Sequence, residues 1–88
     1  MPSISRVGED GPAGVVIEEA GAPTVFVEGS PIGVTNVDIE PYGNGCKANP
    51  KTDEASSVVF AEGKAVVRDT DKDKCGTPID SSSSTFAG

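Results

Sequence analysis

The sequence holds no histidine and no tryptophan, one tyrosine and one methionine. Without imidazole the chain lacks the commonest general base. The SSSS run at residues 81–84 therefore reads as an extended connector and not as a nucleophile site. Adjacent carboxylates such as Glu18 with Glu19 or Asp53 with Glu54 would point to opposite faces of a strand, so no acid–base pair is visible and no enzyme is expected. Basic residues are also scarce, seven against fourteen acidic ones, for a formal charge of −7. That balance excludes nucleic-acid binding by phosphate neutralisation and argues against adsorption to anionic membranes. No apolar run approaches a bilayer-spanning length. The opening MPSISRVGEDGPAGVVIEEAG has no basic stretch followed by an apolar one, so synthesis in a cytoplasm without a signal peptide is expected. No window repeats apolar residues at the three- and four-residue spacing of a long amphipathic helix.

What is present favours turns. Eleven Gly and seven Pro among 88 residues suit short strands joined by tight reversals, and the length allows one domain, residues 1–88, with a thin core. The predicted class is all-β. TVFVEGSPIGV at residues 24–34 returns as VVFAEGKAVV at residues 58–67, and STFAG at residues 84–88 is a shorter third echo. In the first phrase Val25 and Val27 share one strand side and Phe26 the other. Val59 and Phe60 take the same places in the second phrase, and Phe86 holds the aromatic place in the third. Glu28-Gly29 and Glu62-Gly63 fall where hairpin turns are expected, because Gly accepts a positive φ. Return strands are expected over residues 31–37 and 65–67. Residues 1–13 read as an irregular lead-in, and GVVI at residues 14–17 as a first strand, echoed by GTPI at residues 76–79.

The loops between phrases each hold one of the two cysteines, Cys46 and Cys75. DTDKDKCGTPID at residues 69–80 spaces its acids like a calcium loop but carries Lys74 where that loop needs Gly, and so reads as a solvated turn. GEDGPAG at residues 8–14 lacks the Lys-Ser/Thr of a phosphate loop.

These phrases resemble the PAAR-repeat family, small proteins that cap the membrane-piercing spikes of contractile phage tails and type VI secretion systems. The likeness lies in GAPTVFVEGSPIGV at residues 21–34, SSVVFAEGKAVVRDTD at residues 56–71 and CGTPIDSSSSTFAG at residues 75–88. The family pattern is a repeated hairpin, G-x-P-T-V-F-V-N-G-x-P, followed by a Gly- and Asp-containing loop with Cys or His. The resemblance implies a small conical domain with pseudo-threefold repetition. It implies a structural role as the tip of a trimeric β-helical spike, one tip per trimer, touching the target membrane only mechanically. Val25, Phe26, Val27, Val59, Phe60 and Phe86 would then supply core and docking base. Ending at Gly88 without a toxin extension, the chain reads as a plain tip, and the short form and missing histidine favour a phage tail, hence a virion location, over a secretion system.

Family members typically hold zinc near the apex with histidines and a cysteine. This chain departs from that pattern: Cys75 stands at the ligand position and Cys46 in the neighbouring loop, but two thiolates fall short of a four-ligand site. Carboxylates such as Glu9, Asp10 or Asp73 would have to complete it. No cofactor is expected, with a small zinc-binding protein as the alternative. The two cysteines are either a disulfide joining the apical loops, worth about 3 kcal/mol if unstrained, or two reduced thiols packed as small apolar groups. A different class of function, a free-standing acidic β-domain serving as inhibitor or binding module for a basic partner, also fits the charge.

Overall fold

The computed structural model describes residues 2–42 and 50–88. Strands and turns, with no helix, make up the described residues. β1 (Gly11–Pro12) pairs antiparallel with β6 (Ile79–Asp80), β2 (Phe26–Val27) with β3 (Ser30–Pro31), and β4 (Phe60–Ala61) with β5 (Lys64–Ala65). The β2–β3 and β4–β5 turns put both central residues at positive φ: Glu28 at 53° and Gly29 at 86°, Glu62 at 50° and Gly63 at 77°. That is the type I′ geometry, whose twist matches the flanking strands.

A third hairpin is assembled from the two ends of the chain. Ser3 bridges Phe86 as Pro31 pairs with Phe26 and Ala65 with Phe60. Ile4 donates its N–H to Thr85 O at 2.7 Å, repeating the bonds from Ile32 to Val25 O at 2.9 Å and from Val66 to Val59 O at 3.0 Å. The third phrase therefore has a return strand, and it lies at the opposite end of the sequence.

Below the hairpins the three return segments close a ring. Ser5 donates to Val67 O (3.0 Å), Val67 to Gly33 O (2.9 Å) and Gly33 to Ser5 O (2.9 Å). The bridges Ile4–Arg68, Arg6–Ile32 and Val34–Val66 follow the same cyclic order. Each segment then turns through a residue of positive φ: Gly8 at 81°, Asn36 at 61° and Thr70 at 70°. Their N–H groups reach Ile17, Thr52 and Ile79 O at 2.9, 3.0 and 2.8 Å. Ile17 pairs with Ile39, Thr52 with Asp73 and Ile79 with Pro12, so each unit hands its last strand to the next. The molecule is one chain with a pseudo-threefold axis.

The core follows that symmetry. Ile4, Ile32 and Val66 are buried at equivalent places above the ring, and Ile17, Thr52 and Ile79 below it, with Ile39 buried beside Ile17. Each fully buried aliphatic side chain contributes about 1.5–3 kcal/mol. At the ring itself the three equivalent residues differ, Ser5, Gly33 and Val67, all buried. A Cβ on Gly33 would lie 2.5 Å from Ser5 Oγ, so the layer on the axis is filled by unlike residues of complementary size.

Three expectations from the sequence change. Residues 1–13 are not an irregular lead-in: Ser3, Ile4 and Arg6 supply the bridges of the third hairpin and the ring, and Gly11 and Pro12 form β1. The segment at residues 14–17 is no separate strand; Gly14 turns at φ 82° and only Ile17 bridges. The return strand expected over residues 31–37 bends at Asn36, where the left-handed backbone ends the extended run. The echo of residues 14–17 in residues 76–79 does mark equivalent places: Gly76 turns at φ 88°, and Ile17 and Ile79 are both fully buried.

Candidate functional site

Each hairpin alternates an inward small residue with an outward aromatic one. Val27, Ala61 and Ala87 are 6%, 4% and 2% exposed, while Phe26, Phe60 and Phe86 are 59%, 58% and 54% exposed. These are all three phenylalanines of the chain, one per unit at equivalent positions, and so at one level of the axis. Of the predicted base residues, Val27 belongs to the core, Val25 and Val59 pack against it half-buried, and the three rings face solvent. Val58, 70% exposed, adds apolar surface beside Phe60. Its counterparts by register are Thr24 and Ser84.

The hairpins are tied to one another. In the β2–β3 turn the Glu28 carboxylate accepts the Ser84 N–H at 2.5 Å and the Thr85 hydroxyl at 3.2 Å. In the β4–β5 turn Glu62 accepts the Thr24 N–H at 2.9 Å and the Thr24 hydroxyl. At the third contact Ser56 Oγ donates to Gly88 O at 2.6 Å and accepts the N–H groups of Val58 and Val59. The hydrogen bonds from the Thr24 side chain and backbone hold the Glu62 carboxyl below its ordinary range. Such cross-links fix the relative places of the three rings.

Sequence reasoning missed the clamps beneath the hairpins. Arg6 donates Nε to Asp10 Oδ2 at 2.8 Å and its backbone N–H to the same oxygen at 2.9 Å. Arg68 repeats this with Asp71 at 2.9 and 2.8 Å. The signal lay in RVGED against RDTD, obscured by the one-residue insertion. In the middle unit Val34 and Val37 occupy these places, both buried. There Thr52 Oγ1 donates to Val34 O and accepts the Val37 N–H.

On the loop side, Cys75 is disulfide-bonded, and Cys46, the other cysteine of the chain, lies outside the described residues. Asp73 accepts N–H bonds from Cys75 and Thr77, both 2.9 Å, and pairs with the Tyr42 hydroxyl. Burial and then Asp73 raise the Tyr42 pKa. Asp71 and Asp73 are 7% and 2% exposed, whereas Thr70, Lys72, Lys74, Cys75, Gly76, Pro78 and Asp80 face solvent, so the turn at residues 69–80 is largely solvated, as expected, with two of its aspartates folded inward. Of the carboxylates named as completing a zinc set, Asp10 is clamped by Arg6, Asp73 accepts backbone donors and Glu9 is exposed. Among the described residues no group of three or more Cys, Asp and Glu could hold a metal ion.

Compared with protein-family models and with curated proteins, the chain gives no match.

Proposed function

We propose that the chain is a structural tip that caps the end of a trimeric spike in a contractile injection machine, most plainly a phage tail. The observation that carries the reading is the set of three half-exposed phenylalanines at equivalent positions about the pseudo-threefold axis. A trimeric β-structure ends in three identical strand edges, which are open to wrong pairing unless something covers them. A single chain with one hairpin and one ring per third of a turn meets all three edges at once. The resemblance in the hairpin phrases supports the same assignment. On this reading the work is mechanical, and the tip enters a membrane with the spike behind it.

Burying one half-exposed ring on the spike contributes about 1–2 kcal/mol. Phe26→Ser, Phe60→Ser and Phe86→Ser should each weaken binding to a trimeric β-helical spike about tenfold, by similar amounts, while leaving thermal stability nearly unchanged. Titration calorimetry on the three variants is the test. A loss confined to one of the three would point to a one-sided binding module instead.

A further inference from the structure

A cavity of about 500 Å³ opens at the junction of three units, lined by Glu19 and Gly21, by Thr35 to Val37, and by Phe60 and Gly63 to Ala65 of the β4–β5 hairpin. Its meaning comes from the two equivalent junctions. At the first, Arg6 lies across the gap with only 12% of its side chain exposed. It bonds Asp10 of its own unit, Glu28 of the neighbouring hairpin at 3.4 Å and Ser82 of the third unit at 2.9 Å. At the second, Arg68 is held by Asp71, and Glu54 acts on its guanidinium from the adjoining unit. At the third junction the register puts Val34 in the arginine position and Val37 in the aspartate position. No internal guanidinium is available there.

The surroundings of that missing group are still in place. Glu19 is the register counterpart of Glu54. Its Oε1 accepts the Asp38 N–H at 2.9 Å just as Glu54 Oε1 accepts the Lys72 N–H at 2.9 Å. Phe60 offers an exposed ring face, and Val37 and Ala65 an apolar wall. Lys64 also lines the groove, but its ammonium is turned to Gly21 O at 2.7 Å. The chain as a whole carries a charge of −7, which draws basic partners.

We infer that this groove receives an arginine side chain from a partner polypeptide, its stem along Phe60 and Val37 and its guanidinium at Glu19. The partner thus completes a junction that the other two units complete for themselves. An open slot between a ring face and one carboxylate suits the apolar stem and planar head of arginine better than a free anion or an apolar ligand. The groove shares Phe60 with the apolar face but does not rest on the spike reading.

The test is a titration of the full ¹⁵N-labelled chain with acetyl-arginine-N-methylamide, alongside the neutral citrulline analogue and free arginine. Saturable shifts are expected at Glu19, Thr35, Asn36, Phe60 and Lys64, absent with citrulline. Glu19→Gln, which keeps the acceptor for Asp38, should weaken binding about fivefold, the upper range for an exposed ion pair. The double variant Val34→Arg with Val37→Asp builds the internal clamp and, where it folds, should abolish binding. Absence of saturable shifts, equal shifts with citrulline, or an unchanged affinity in Glu19→Gln would overturn the inference. Free arginine binding more tightly than the capped residue would overturn the assignment to a polypeptide.

Discussion

Gly33 and Ser5 meet on the axis, and the space between them decides what each can be. A methyl group on Gly33 would sit 2.5 Å from Ser5 Oγ and 3.2 Å from Ile17 Cδ1. Gly33→Ala should therefore cost about 1–3 kcal/mol by overpacking. The cost should shrink in a Ser5→Ala background, where the nearest obstacle is gone; urea unfolding of the two singles and the double measures that coupling. Glu62 gives a second prediction at this scale. Its folded pKa lies below the ordinary value of 4.5, so it stabilises the fold above that value. That contribution is lost as pH falls through the lower, folded pKa. Thermal melts should show the wild type losing its advantage over Glu62→Gln only in that acid range; a constant difference down to the lowest pH would contradict the bond to Thr24.

At the scale of elements, the hairpins were legible because their signals are local. Val-Phe-Val alternation and Glu-Gly turns lie within ten residues, and β2–β3 and β4–β5 formed where they were expected. The third hairpin and the ring were not legible. Their partners stand far apart in the chain, Ser3 with Phe86 and Ser5 with Val67, and short polar segments such as PSIS carry no periodicity that names a partner. In the exposed turn at residues 69–80 the inward placement of Asp71 and Asp73 was not legible either, because it depends on Arg68 and the backbone N–H groups that bind them. The exposure of Phe26, Phe60 and Phe86 followed from alternation, since Val27 and its counterparts face inward. Because the chain ends meet as an open copy of the other hairpins, a circular permutant with new ends between Glu28 and Gly29, and the old ends linked, should fold cooperatively within about 2 kcal/mol of the parent. One cut between Val66 and Val67 should not, since it opens the ring. Chemical denaturation of both permutants distinguishes these outcomes.

At the scale of the molecule, three unlike segments build nearly the same unit, and the departures from symmetry are confined to places where one chain can afford them. The axis holds Ser5, Gly33 and Val67, a combination that three identical chains could not supply. The middle unit exchanges an Arg–Asp clamp for Val34 and Val37 and opens a groove at its junction. The outward rings, by contrast, keep both identity and exposure in all three units, although none of them is needed to fill the core. On the proposed reading these three rings are the symmetric contacts offered to a threefold partner, while Val58, which stands where the other units carry Thr24 and Ser84, and the groove depart from that symmetry. The most direct measurement is the mass, by native mass spectrometry, of the complex formed with a trimeric β-helical spike. One copy of this chain per three spike chains is the predicted composition; three copies per trimer, or no complex at all, would contradict the account.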